Sequence, residues 1–301
     1  AELSGNGDKE IVSRVLCDYR ETLADMLFDH FIVPWNDWTH GHGQLTRNQA
    51  HGSPGNLLDL YGAVDIPETE IFRFDNHIDV LKFASSAAHV MGKPLVSAES
   101  FTWQDEHFHV TLDTMKRSAD RLFAAGINHI FFHGTTYSPR YAQWPGWLFY
   151  ASSQINPQNP IWNDLPAFNE YVTRIQSVLQ TSAPDNRNLI YWPVYDIWSL
   201  PNGLEYNLTV NHNQWITQNP AGRVAEQLRQ NGYLYDFISD NQIKGARAEN
   251  GKIKVPGGVY DVVIVPSCSH LPLETLQAIK QLAENGASVI FEIPFNATVP
   301  G

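Results

Sequence analysis

From residue 12 to residue 180, strand-like apolar runs alternate with helix-like runs. The strand-like runs fall at residues 11–20, 45–50, 95–98 and 127–132, and each is followed by a stretch with helical periodicity. Alternation at this spacing is typical of βα units and predicts a parallel sheet. Each predicted strand ends in polar or aromatic residues. That placement favours a barrel over an open sheet, because barrel enzymes carry their chemistry at the carboxyl ends of the strands.

The number of units suggests that the barrel is partial. An eight-unit barrel needs about twice the predicted number of βα units. We therefore predict an α/β fold in which residues 1–182 form the second half of a (β/α)8 TIM-type barrel. An open sheet is the alternative. Residues 181–188 have the composition of a linker, and the elements after it predict a flavodoxin-like α/β domain over residues 183–301, truncated at its end.

Composition excludes several classes of partner. The 301 residues carry a formal net charge of −12, which argues against nucleic acid because phosphate binders need a basic face. We also expect no membrane partner, since no apolar run approaches the ~18–20 residues that span a bilayer. The first residues show no targeting signal. Nine Trp residues exceed what a core usually needs and suit stacking on sugar rings, although large cores also use them.

Glu99 is the residue best suited to catalysis. It ends the apolar run at residues 94–98 and is followed by two aromatic residues, Phe101 and Trp103. A sugar-cleaving site needs a carboxylate for acid or base work and apolar faces that hold the ring. The competing interpretation is a buried strand-end carboxylate paired with an arginine.

Glu68 and Glu70 are candidate metal ligands. We expect residues 55–72 to be a loop with one helical turn, and residues 35–43 to be a loop as well. In an extended segment, side chains at i and i+2 point to the same side, so the two carboxylates would repel each other. A divalent cation relieves such repulsion, and calcium prefers oxygen ligands. Calcium is therefore the predicted cofactor, and a solvated acidic loop is the alternative.

Four further side chains are candidates for binding the substrate. His51 and His133 end two predicted strands, so both should lie at the same end of the predicted barrel. There we expect them to hydrogen-bond sugar hydroxyls. Asn48 precedes the turn at His51 and is a further donor. Asp18 ends the first predicted strand, where it could orient a substrate or cap the helix that follows.

Aromatic residues after the predicted strands are candidates for stacking. Trp103 and Tyr137 follow two strands directly, and core packing is the alternative for both. Trp144, Trp147 and Trp162 lie in a long loop without clear elements after the last strand. Such loops are usually functional, and this one is expected to form a pocket wall or an additional sugar subsite.

Three stretches resemble glycoside hydrolase family 106, the α-L-rhamnosidases: NQAHGSPGNLLDLYGAVDIPETE, SSAAHVMGKPLVSAESFT and YLYDFISD. The resemblance covers the second half of the family's catalytic barrel and part of the domain after it. It implies an inverting, calcium-dependent hydrolase that removes L-rhamnose from plant polysaccharides or rhamnosides. Glu99 falls at the position of the general base, and Glu68 and Glu70 fall where calcium ligands or substrate contacts would lie. The general acid would come from a strand before residue 1.

Two other functions stay open from the sequence. One is a β-galactosidase-like barrel glycosidase, which would not use Glu68 and Glu70 for metal. The other is a carbohydrate-binding fragment without catalysis. In each case the partner is a carbohydrate, and the resemblance implies a rhamnose-containing glycan. The full-length protein is expected in the periplasm or outside the cell.

Overall fold

The structure, a computed structural model, describes residues 2–72, 77–201 and 203–300. Its helices are α1 Lys9–Leu27, α2 Val33–Gly41, α3 Leu57–Gly62, α4 Ile78–Met91, α5 Leu112–Ala124, α6 Leu165–Thr181, α7 Val194–Trp198, α8 Gln214–Thr217, α9 Pro220–Gln230, α10 Asp240–Lys244 and α11 Leu273–Glu284. A π-helical turn, Phe28–Ile32, joins α1 to α2, and 3-10 turns lie at Glu2–Ser4 and Pro160–Asp164.

The strands are β1 Arg47–Asn48, β2 Ile66–Phe72, β3 Ser97–Thr102, β4 His129–Phe132, β5 Asn188–Tyr191, β6 Tyr235–Ile238, β7 Arg247–Glu249, β8 Lys252–Val255, β9 Gly258–Tyr260, β10 Val262–Val265 and β11 Ser288–Phe291. They form two parallel sheets, ordered β1-β2-β3-β4 and β11-β10-β5-β6, and one antiparallel sheet, β7-β8-β9. Helices connect the parallel strands, which confirms the predicted α/β class.

Helix α4 lies between the two parallel sheets and contacts both β2 and β6. It is therefore buried almost all round, including the polar side chains of Asp79, Ser85 and Ser86. The helix ends at Gly92, which takes φ 73°, a left-handed conformation that glycine adopts at no steric cost.

One hydrophobic cluster is shared by the two sheets. It contains Ala98 on β3 and Val96 just before β3, together with Ile190 and Phe237 from the second sheet. Residues 182–187, between α6 and β5, carry no regular element and coincide with the predicted linker. The division into domains at residue 182 stays a prediction.

The strand predicted at residues 11–20 is wrong, because these residues belong to α1. The buried positions Val12, Leu16, Arg20 and Ala24 recur at helical spacing, and Asp8 caps the helix by accepting hydrogen bonds from the first-turn N–H groups. Arg20 donates from its guanidinium to the carbonyl of Leu200 over 2.7 Å. A short apolar run cannot distinguish strand from helix unless the cap is recognised.

Two predicted loops also prove to be regular elements. Residues 35–43 belong mostly to α2, and residues 66–72 form β2. The interior of β2 is buried on both faces although it contains Glu68, Thr69 and Glu70. The polar side chains make β2 hard to recognise from the sequence, because strands with two buried faces are usually continuous apolar runs.

Candidate active site

The pairing of β2 with β3 and of β3 with β4 assembles the site. Glu70 is the register partner of Glu99, and Glu99 is the register partner of Phe131. Side chains at paired positions of parallel strands point to the same face, and alternate residues along a strand share that face. Glu68, Glu70 and Glu99 therefore line one face of the first sheet, and His133 follows Phe131 on the same face.

The Glu99 carboxylate is held at both oxygens. His133 Nδ1 lies 2.6 Å from Oε1, and Gln49 Nε2 donates to Oε2 over 2.8 Å. The hydrogen bond from His133 is the main reason that the pKa of Glu99 is lowered, and burial opposes it. The side chains of Glu99 and His133 remain 28% and 27% exposed, so water can reach the pair.

The same contact changes the imidazole. The hydrogen bond to Glu99 raises the pKa of His133 above its usual 6.5, and the negative charge of Glu70 adds to this effect. A carboxylate with a lowered pKa next to an imidazole with a raised pKa forms an ion pair near neutral pH. The sequence predicts both residues at strand ends. His133 does follow β4 directly, but Glu99 lies inside β3, which continues to Thr102, and the pairing of β3 with β4 brings the two side chains together.

Glu70 is buried beside a second imidazole. His51 Nε2 lies 3.1 Å from its Oε2, and Thr102 donates from Oγ1 to its Oε1 over 3.0 Å. Thr102 reaches Glu70 because β3 carries one extra residue there: Phe72 pairs with Thr102, and Phe101 takes φ 72°. Such bulges redirect side chains near active sites.

Glu68 faces a different environment. Ser97 donates from Oγ to its Oε2 over 2.7 Å, and the Arg47 Nε lies 3.3 Å from the same oxygen. Burial raises the pKa of the Glu68 carboxyl, and these two contacts oppose the rise. The Arg47 guanidinium also lies 3.7 Å from the centre of the Phe131 ring, which is itself exposed on the sheet.

The geometry does not by itself supply a calcium site. Among the residues that the structure describes, no group of three or more His, Cys, Asp or Glu side chains is arranged to hold a metal ion. Calcium takes six to eight oxygen ligands. Both oxygens of Glu70 and one of Glu68 already accept hydrogen bonds, and Arg47 holds a positive charge beside Glu68.

Two candidates from the sequence lie away from this cluster. Asn48 pairs with Pro67, which alternates with Glu68, so Asn48 belongs to the opposite face of the sheet. Its neighbour Gln49 provides the contact with Glu99, and the sequence reasoning missed it by one residue. Asp18 lies on the exposed face of α1 and does not end a strand.

The aromatic candidates lie in the loops around the site. Trp103 follows β3, is half-buried and donates from Nε1 to the carbonyl of Glu106 over 2.8 Å. It also packs against the apolar cluster around Phe101. Tyr137 is exposed in the loop after β4.

The sequence model of glycoside hydrolase family 106, described as alpha-L-rhamnosidase, matches residues 4–299. The chain belongs to glycoside hydrolase family 106. A protein of Formosa agariphila named "Putative beta-glucuronidase" is 30% identical over 295 residues, which cover 95% of this chain and 23% of that protein. Within the part of the chain that the structure describes, no helix is long and apolar enough to cross a membrane.

Solved glycosidases share the fold of this family 106 chain. A rhamnosidase from Novosphingobium sp. PP1Y matches with a TM-score of 0.74 at 21% identity, over 96% of this chain and 27% of that one. A family 42 exo-carrageenase from Bacteroides ovatus gives a TM-score of 0.60 at 13% identity, over 93% of this chain and 39% of that one. The chain spans about a quarter of the length of its first relatives.

Proposed function

We propose that the complete protein is an α-L-rhamnosidase that removes terminal L-rhamnose from plant polysaccharides or rhamnosides with inversion. Membership of family 106 and the shared fold with a rhamnosidase support this proposal. The observation that carries it is the Glu99 carboxylate, which is partly open to solvent, held at both oxygens and lowered in pKa. We also propose a periplasmic or extracellular location, since plant polysaccharides are too large to enter a cell.

The fold supports a matching proposal for the architecture. We infer that β1–β4 are the second half of a (β/α)8 barrel, whose inner face carries Glu68, Glu70 and Glu99. Exposed Phe131 and Arg47 on the same face fit an interior that further strands would close. The strand order β6-β5-β10-β11 corresponds to the order 2-1-3-4 of flavodoxin-like sheets, which supports a flavodoxin-like second part.

In this mechanism Glu99 acts as the general base. One of its oxygens takes a proton from a water molecule while the water oxygen attacks the anomeric carbon. A second carboxylic acid, contributed from outside the described residues, donates its proton to the leaving glycosidic oxygen. His133 and Gln49 hold the Glu99 carboxylate in position. His51 and His133 lie close enough to that carboxylate to bind hydroxyl groups of the sugar that it attacks through water.

Glu70 is poorly suited to the role of that acid. It pairs with Glu99 across adjacent strands, which lie about 4.8 Å apart. An inverting site needs about 6.5–9.5 Å between its carboxyls to admit the water. His51 and Thr102 also occupy both oxygens of Glu70. We therefore assign Glu70 a supporting role.

We keep calcium in the proposal only on the condition that groups other than Glu68 and Glu70 supply further ligands. The described residues alone do not fit the ion, because Glu68 and Glu70 already have partners and supply too few oxygens. If the complete protein is calcium-dependent, ligands from other parts of the polypeptide or from the sugar must complete the shell.

The function can be tested on the full-length protein with three aryl glycosides. We expect hydrolysis of 4-nitrophenyl α-L-rhamnoside and no comparable hydrolysis of the β-D-galactoside or β-D-glucuronide. Proton NMR of the first product should show β-L-rhamnose, the inverted anomer. Preference for the galactoside would favour the β-galactosidase alternative. Calorimetric binding of rhamnose without turnover of any substrate would favour a carbohydrate-binding role.

A further inference from the structure

The loop between β4 and α6 exposes an unusual set of aromatic side chains. Its exposed large aromatic residues up to position 150, which we call the aromatic strip, are Tyr137, Tyr141, Trp144, Trp147, Phe149 and Tyr150. Tyr137 is 77% exposed, and Trp144 and Tyr150 are each 70% exposed. Clustered exposed apolar groups of this size mark a binding surface more often than chance exposure.

The backbone beneath the strip is fixed by buried polar residues. Ser153 is buried and donates to the carbonyl of Phe101 in the bulge of β3. Ser152 donates to the carbonyl of Gly134 over 2.9 Å, and Gln154 donates from Nε2 to the carbonyl of Phe149 over 2.7 Å. Such internal contacts hold the backbone that bears the aromatic rings, so little backbone entropy is lost when a ligand binds.

Gln154 also carries backbone strain. It is fully buried and takes φ 51°, a left-handed conformation that is unfavourable for a residue other than glycine. Its Oε1 accepts from Thr136 over 2.9 Å, which ties together the two ends of the segment that bears the strip. Strain of this kind is retained where the surrounding structure enforces a particular geometry, often at ligand sites.

The strip begins at the candidate active site. The ring of Phe149 lies 5.5 Å from the ring of His133, centre to centre, and the ring of Tyr150 lies 4.8 Å from that of Phe149. His133 is in turn bonded to Glu99. A ligand bound at Glu99 therefore has an exposed aromatic surface directly beside it.

The charge of the loop restricts the ligand class. Residues 134–163 contain a single charged side chain, Arg140, in a protein whose formal net charge is −12. Tyr and Trp combine an apolar ring face with a polar edge, which suits the apolar faces and hydroxyl edges of uncharged sugars. Uronic acids, by contrast, would meet no matching row of cations in the strip.

We propose that the aromatic strip binds the uncharged glycan chain that carries the terminal sugar, so that the natural substrate is a neutral oligo- or polysaccharide and not a small glycoside. This inference rests on the proposed function, because it takes the sugar cleaved at Glu99 as the end of that chain. The strip would add affinity for the chain that leaves, and it would take no part in the chemical step.

Kinetics on the full-length protein test the strip. The substrates are 4-nitrophenyl α-L-rhamnoside and a hexasaccharide of neutral galactose units capped with α-L-rhamnose. We expect Tyr150→Ala and Trp147→Ala each to raise KM for the capped hexasaccharide about tenfold while the aryl rhamnoside KM stays within twofold of wild type. Tyr233→Ala, exposed ahead of β6, is the matched control and should change neither. Equal losses on both substrates, or no loss on either, would contradict the proposal.

Calorimetry separates this inference from the proposed function. The full-length Glu99→Gln protein is titrated with uncapped galactohexaose and with an oligogalacturonide of the same length. Tighter binding of the neutral chain, weakened by Tyr150→Ala, supports the strip whether or not the protein turns over rhamnosides. Equal affinity for both chains, or no binding that Tyr150→Ala weakens, contradicts it and leaves the strip to a protein partner or to another part of the polypeptide.

Discussion

At the scale of single residues, Glu99 is stabilised as an anion by two different donors. Gln49 contributes a neutral hydrogen bond, whereas His133 titrates. The lowered pKa of Glu99 means that its contribution to stability is present above its usual 4.5 and is lost as pH falls through the lowered value. The raised pKa of His133 means that its contribution is present below 6.5 and is lost as pH rises through the raised value. The pair therefore stabilises the site most fully between these usual values.

This arrangement predicts the pH dependence of activity. In the wild-type protein the acidic limb of kcat/KM should lie below pH 4.5, because Glu99 must be ionised to act as a base. His133→Gln removes the main cause of the lowered pKa, so the acidic limb should move to higher pH. Gln49→Ala should move it in the same direction by less. An acidic limb that stays in place in His133→Gln would show that another group controls it.

Calcium dependence is a second prediction at this scale. Treatment of the full-length enzyme with EDTA should lower kcat/KM at least tenfold, and added calcium should restore it. If ligands from elsewhere complete a shell around Glu68, Glu68→Gln should raise the calcium concentration needed for half-maximal activity. An unchanged requirement would show that Glu68 keeps its contacts with Arg47 and Ser97. Asp29→Asn, on the π-helical turn, is a surface control. Full activity after exhaustive chelation would rule the ion out.

The site could be predicted from the sequence only where a side chain follows directly from its strand. Glu99, His133 and His51 were found because each ends an apolar run or the turn after it. The position of Asn48 before the turn at His51 makes it a candidate, but β1 is only two residues long, and a shift of one residue exchanges the faces of a strand. No local pattern in so short a strand indicates whether Asn48 or Gln49 faces Glu99.

At the scale of secondary-structure elements, α4 is fixed to the second sheet by a buried ionic network. Asp236 on β6 is fully buried and accepts hydrogen bonds from Ser86 over 3.2 Å and from Tyr260 over 2.8 Å. His89 Nδ1 lies 3.0 Å from the same carboxylate, and Lys82 Nζ lies 3.8 Å away. The positive charges of His89 and Lys82 help to lower the pKa of Asp236 against the effect of burial.

Removing that carboxylate should destabilise the junction between the sheets. Asp236→Asn leaves Lys82 and His89 without their counter-charge, and breaking a buried pair typically costs about 3–5 kcal/mol. Asp261→Asn is the matched control, because its contact with Lys252 is exposed and such pairs contribute about 0.2–1 kcal/mol. Urea unfolding gives both values. Equal, small losses would show that the network does not hold the elements together.

The elements that the sequence predicted correctly share strong local features. Helices α4 and α5 have the periodicity expected of the helical stretches after two predicted strands, and Gly92 marks the end of α4. Strand β2 was missed because its buried carboxylates are satisfied by partners far along the chain, such as Ser97 and Thr102. Tertiary contacts of this kind leave no trace in a local window.

At the scale of the whole molecule, the face of the first sheet that carries Glu68, Glu70 and Glu99 is partly exposed among the described residues. Phe131 is exposed there, and β1 and β4 are the edges of the sheet. Unpaired parallel edges invite association between copies. If this sheet is half of a barrel, residues 1–301 expressed alone should form concentration-dependent oligomers in light scattering, and Phe131→Asp should reduce them. A monomeric segment with a sharp, reversible melt would contradict the half-barrel proposal.

The central claim concerns the carboxylate at position 99, and turnover of 4-nitrophenyl α-L-rhamnoside by full-length Glu99→Gln tests it most directly. Loss of a general base typically lowers the rate about 10²–10⁴-fold. We expect a loss in that range in a protein that still unfolds cooperatively, with a melting temperature lowered only by the loss of the contact with His133. Asp18→Asn, on the exposed face of α1, should keep wild-type activity. A Glu99→Gln protein that retains more than about one per cent of the wild-type kcat would contradict the assignment.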